Sequence, residues 1–178
     1  MATMKQLGLF AFGFLLVAAP APAQAPARPA NPVLAADRAQ LAACLRERGE
    51  RAASSCIGSV AVACVREANA DRRGAEFGCA RREEAVWRER LTLATQATER
   101  SLDAGQRSRL AALHIAWEGY VAQKCALYGA MQREGLQTGR QAGCELREVA
   151  ERAIELTRAL SRSVAPGRQP SQPPSIIR

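Results

Sequence analysis

Apolar positions recur at steps of three and four residues through most of this chain, and they divide it into five helical stretches. The first is expected over residues 37–48, opened by Asp37 as an N-cap and closed by Gly49. The second begins at Ser54 or Ser55 and runs to about residue 68. The loop NADRRG separates it from the third, over about residues 76–100, where Val86, Trp87, Leu91 and Ala94 carry the stripe. Asp103 caps the fourth. There Leu110, Leu113, Trp117, Tyr120, Leu127 and Met131 fall on a heptad-like stripe interrupted by Lys124, and that stripe is expected to face the core. A glycine-rich loop, GLQTGRQAG over residues 135–143, leads to the fifth stretch, about 144–160. Its apolar face is Leu146, Val149, Ala150, Ala153, Ile154, Leu156 and Leu160. No fixed-period repeat is present.

Composition agrees with helices. No proline lies between residues 37 and 163, and alanine, leucine, arginine and glutamate dominate that interval. Prolines cluster on both sides of it. The chain therefore reads as one all-α domain over residues 37–162, between a Pro/Ala-rich linker at 24–36 and a Pro-rich, disordered tail at 163–178.

The first residues read as an export leader. Lys5 supplies a basic start, and LGLFAFGFLLVAA is an apolar run too short to span a bilayer as a mature helix. Among the A-x-A sites that follow, cleavage after Ala23 alone avoids a proline just beyond the cut, so residues 1–23 are expected to be removed. A periplasmic or secreted product follows, with no further long apolar run to make it an integral membrane protein.

Export changes the reading of the cysteines. Six are present: Cys44, Cys56, Cys64, Cys79, Cys125 and Cys144. An even set in an oxidising compartment implies disulfides. Cys56 and Cys64 are expected on one helix, too far apart along its axis to bond. The simplest scheme that geometry permits pairs them in sequence: Cys44–Cys56, Cys64–Cys79 and Cys125–Cys144. Each bond would then staple two neighbouring antiparallel helices near their shared end, contributing roughly 3 kcal/mol in the chain-entropy picture.

Several of these residues have a family likeness. The spacing Cys79, Glu83, Trp87, Leu91 resembles the opening of the LprI-like lysozyme inhibitor domain, as does Trp117, Tyr120, Cys125. The run from Gly139 to Cys144, with Arg152 and Leu156, is similar to that family's closing segment, and Cys56-Ile57-Gly58 with Cys64 to an extension found in some members. The resemblance spans about residues 56–160. It implies an exported, helical, non-enzymatic binding protein that acts on lysozyme.

Candidate chemistry is sparse. His114 is the only histidine and is expected to pack or face solvent, so no metal site is expected, and no cofactor motif occurs. With all thiols paired, no cysteine nucleophile remains. Glu83 and Glu84 are adjacent and diverge on a helix, and Glu118 is expected to be solvated, so the paired carboxylates of a glycosidase are not expected. Trp87 and Trp117 read as core residues rather than a sugar platform.

The chain carries 25 Lys+Arg against 17 Asp+Glu, and Lys5 and Lys124 are its only lysines. Arginine and glutamate interleave at i,i+4 spacing, as in Glu47–Arg51 and Glu84–Arg88, which reads as solvated helix faces rather than a specific nucleic-acid surface. The second reading of function is an envelope structural or stress-associated domain that binds anionic surfaces, and the candidate partners are lysozyme, another envelope protein or the anionic envelope surface. The binding-loop candidates are Glu134, Thr138 and Arg140, in and beside the glycine-rich loop between Cys125 and Cys144.

Overall fold

The computed structural model describes residues 32–68 and 71–164. Five α-helices and one 3-10 helix make up the described residues, and no strand occurs among them. In chain order they are α1 Pro32–Arg48, a 3-10 helix Glu50–Cys56, α2 Ser59–Glu67, α3 Arg72–Arg100, α4 Ala104–Ala130 and α5 Gln137–Val164. The expected leader, most of the linker and nearly all of the tail lie outside the described residues.

The long helices α3 and α5 pack against each other as the central pair. Trp87, Leu91 and Ala94 of α3 meet Leu146, Val149, Ala150, Ala153 and Ile154 of α5 in one cluster, closed by Leu41 of α1 and Val60 of α2. The Trp87 side chain is fully buried there, as its helical spacing implies. Around this pair the chain forms three sequential disulfides, Cys44–Cys56, Cys64–Cys79 and Cys125–Cys144. No cysteine is free.

Helix boundaries depart from the sequence expectation in ways that have local causes. The first helix begins at Pro32, inside the expected linker, because proline suits a first helical turn where its missing N–H is not needed. Asp37 is therefore no cap. It is buried in mid-helix, and the Arg82 guanidinium donates to both of its oxygens at 2.7 and 3.1 Å. That hydrogen bond, with the Asp37 charge beside it, raises the Arg82 pKa. The expected second helix is two elements, because Gly58 takes φ of 93° between them, a left-handed conformation open to glycine. Cys56 and Cys64 thus sit on different elements, yet still do not pair.

The third helix starts four residues early, with Asp71 accepting the Gly74 N–H at 2.9 Å. Asp103 caps α4 as expected. Its carboxylate accepts the Gln106 N–H, and the Gln106 side chain returns the bond to the Asp103 N–H.

The largest departure is α4. Its stripe was expected in the core, and most of it faces outward. Leu113, Tyr120, Leu127 and Met131 are 61%, 57%, 58% and 72% exposed, while Leu110 and Trp117 are half-buried. The face that α4 turns inward carries Val121, Cys125 and Gly129 instead. Gly129 allows this close approach: a Cβ there would lie 3.1 Å from the Gln137 carbonyl oxygen and 3.1 Å from the Gln141 Cβ. Clefts of about 380 and 220 Å³ separate α4 from α3, both bordered by Arg88 and Glu118.

Candidate functional site

The connection between α4 and α5 is shorter than the sequence suggests. Turns occupy residues 131–136, and helix α5 begins at Gln137, so Thr138 to Gly143 are helical rather than a flexible loop. Gly139 lies against α3, where a Cβ would approach Glu76 Oε2 to 2.9 Å. Small residues here serve helix contact, which is why their run reads as a loop in sequence. The three candidate residues separate accordingly. Glu134 is exposed in the turn, Thr138 is exposed on the first turn of α5, and Arg140 alone lines a groove.

That groove has a volume of about 780 Å³. Four helices build it: Ala61, Val62 and Val65 from α2, Ala80 from α3, Tyr128 from α4 and Leu146 from α5 give it apolar walls. Its charged lining is mostly cationic. Arg66, Arg72, Arg140 and Arg147 border it, and none has an ion pair or side-chain hydrogen bond among the described residues. Lys124 and Glu148 neutralise each other at 2.7 Å, and that hydrogen bond raises the Lys124 pKa. The Lys124 ammonium also sits over the Tyr120 and Tyr128 rings, 5.6 and 5.8 Å from their centroids. Glu76 and Glu151 are the remaining carboxylates of the lining. Four unpaired guanidiniums against two carboxylates leave the groove positive.

Several other arginines are paired, whereas Arg90, whose pKa is lowered by burial, has no carboxylate partner among the described residues. Arg38 bonds Glu89 through two hydrogen bonds, which lowers the Glu89 pKa. The buried Glu84 holds both Arg81 and Arg88, and Arg81 also reaches Glu145. The i,i+4 pair Glu84–Arg88 therefore forms, but around a buried carboxylate instead of on a solvated face. Glu118 is half exposed and meets Arg88 at 3.2 Å.

Glu83, part of the Cys79–Trp87 spacing and adjacent to Glu84, has a structural role. It is fully buried and caps α2 from a distance in sequence. Its oxygens accept the N–H groups of Gly58, Val60 and Ala61 at 2.7, 2.9 and 2.7 Å, and the Trp87 indole N–H at 3.0 Å. Its four acceptor positions are all engaged, three by backbone N–H groups at the start of α2 and one by the Trp87 indole. The signal in sequence was a glutamate at a core-facing position of the third helix, four residues before Trp87. His114 stacks on Trp117 with ring centroids 5.5 Å apart, a packing role. No cluster of three or more metal-ligating side chains occurs among the described residues, and none of the described helices is long and apolar enough to cross a membrane.

Scans of protein-family models, curated proteins and solved structures found no match to this chain. The likeness to the LprI-like domain rests on the residues quoted for it.

Proposed function

We propose that this chain is an exported, non-catalytic binding protein that holds an anionic partner in its arginine-lined groove. The observation that carries this reading is the set of four guanidiniums, Arg66, Arg72, Arg140 and Arg147, bordering one groove without partners. Arg38, Arg81, Arg82, Arg88 and Arg152 find carboxylates, whereas these four, gathered on one groove, have no such partner among the described residues. Their planar forks suit carboxylate and phosphate groups. Export is supported by the leader and by three disulfides, which persist in oxidising compartments.

The family likeness supplies a named partner, lysozyme, and the periplasm or exterior as its meeting place. An Arg140 fork could engage the catalytic carboxylates of such an enzyme. Host lysozymes are basic as a whole, however, and so is this chain, so long-range steering opposes that encounter. An anionic envelope surface meets no such opposition and fits the groove's charge.

Two assays separate these partners. Purified oxidised protein is expected to bind vesicles rich in anionic lipid and to release with salt. Removing Arg66, Arg140 and Arg147 together should weaken that binding by roughly 100-fold, at about 1 kcal/mol per basic side chain near the surface. Unchanged binding by the triple variant would refute the groove. In the second assay, lysis of a bacterial suspension by lysozyme is followed with and without the protein. No slowing at micromolar protein ends the inhibitor reading. Slowing that Arg140→Ala abolishes would establish it.

A further inference from the structure

We infer that the outward face of α4 is a self-association surface, on which a second copy of this chain packs its own α4 antiparallel across a two-fold axis at Tyr120. The surface adjoins the arginine groove at Lys124, which borders the groove and sits over Tyr120, but its apolar side chains lie outside the groove lining.

The face is unusual within this chain for having almost no charge. Between Leu110 and Met131 the only charged side chains are Glu118 and Lys124, and each is tied to another helix, Glu118 to Arg88 of α3 and Lys124 to Glu148 of α5. Ile115 and Tyr128 are exposed to either side of it, and on the side of α4 that carries Tyr120 the outward residues include Leu113, Ala116, Tyr120, Gln123, Leu127, Ala130 and Met131. The four large side chains among them expose on the order of 500 Å², and the small ones between bring the face near the roughly 800 Å² per partner of a standard interface. A basic chain repels its own copy over most of its surface. Here two copies can approach without opposing charges or stripping water from them.

Register selects the antiparallel arrangement. Leu110, Leu113, Trp117, Tyr120, Lys124, Leu127 and Met131 alternate steps of three and four, the a and d spacing of paired helices. A parallel pair would set each Lys124 and each Arg109 beside its own copy. An antiparallel pair centred on Tyr120 sets Leu113 against the second copy's Leu127, Lys124 against Ala116, and Arg109 against Met131. Like charges are then separated, large apolar side chains meet, and the helix dipoles oppose. Such an isologous contact closes at two copies.

The test is molar mass by light scattering and sedimentation on the exported, oxidised chain. Twice the monomer mass is expected at roughly 100 micromolar, with dissociation on dilution. Leu113→Glu with Leu127→Glu should give a monomer at every concentration. Both side chains are exposed, so helical circular dichroism and the midpoint of urea unfolding in dilute protein should hold, which separates loss of pairing from loss of fold. Single variants Leu113→Cys and Leu127→Cys, mixed and mildly oxidised, should form the 113–127 cross-link in preference to either symmetric one. A wild-type monomer throughout overturns the inference, including one that instead binds neutral phosphatidylcholine vesicles through this face. A dimer that survives the double glutamate variant, or a dominant 113–113 cross-link, overturns it equally.

Discussion

Helices α3 and α4 are similar in length and both carry an apolar stripe at helical spacing, yet one is the centre of the core and the other stands at its margin. The stripe of α3 is enclosed by α1, α2 and α5, and even its carboxylates Glu83 and Glu84 are buried and fully used. The stripe of α4 meets solvent, and the helix is held to α5 by a disulfide, a glycine contact and one lysine–glutamate pair. The lesson is that periodicity says which side chains share a face, and nothing about whether that face is covered. α3 should be the hard, cooperative part of the molecule, and α4 a separable arm.

The severest way to break α3's side of the contrast is Glu83→Ala. Three backbone N–H groups and the Trp87 indole would lose their acceptor in a buried site. A loss of about 3–5 kcal/mol is expected, by analogy with breaking one partner of a buried charged network. Urea unfolding reads it; a loss under about 1 kcal/mol would mean that α2 does not depend on this cap.

The next sharpens the idea of an arm. Replacing Cys125 and Cys144 together by serine removes the tether of α4 and should cost roughly 3 kcal/mol. The cost should be local. Amide hydrogen exchange is expected to accelerate along Ala104–Ala130 while the buried amides of α3 keep their protection. Uniform acceleration in both helices would show one cooperative unit and erase the distinction.

The smallest effect is expected at Leu127→Ala, within about 0.5 kcal/mol of wild type in dilute protein, because the side chain is already in water. Leu146→Ala on α5, in the core, should cost about 2–4 kcal/mol in the same experiment. Equal costs at the two leucines would mean that the α4 stripe is buried in solution.

Sequence spacing alone determined a good deal of this protein. Lack of interior proline and three-to-four periodicity dictated an all-helical domain, and local chemistry placed the cap at Asp103. The disulfide scheme was legible for the same reason. Each pair brackets one connection between consecutive elements, so chain continuity brings its members together with little help from the rest of the fold. Tertiary packing decided what depends on distant partners. Asp37 reads as a cap, and the core-facing position of Glu83 names no partner, until Arg82 and the start of α2 are brought to them. Residues 137–143 read as a loop because glycine lowers helix propensity, and they are helical where Gly139 packs on Glu76 of α3 and Gly129 of α4 packs on Gln137 and Gln141. Arg140 joins Arg66, Arg72 and Arg147 only when α2, α3 and α5 fold together. Whether an apolar stripe is core or surface was decided last, by which helix reached α5 along its full length, and no spacing along one helix contains that information.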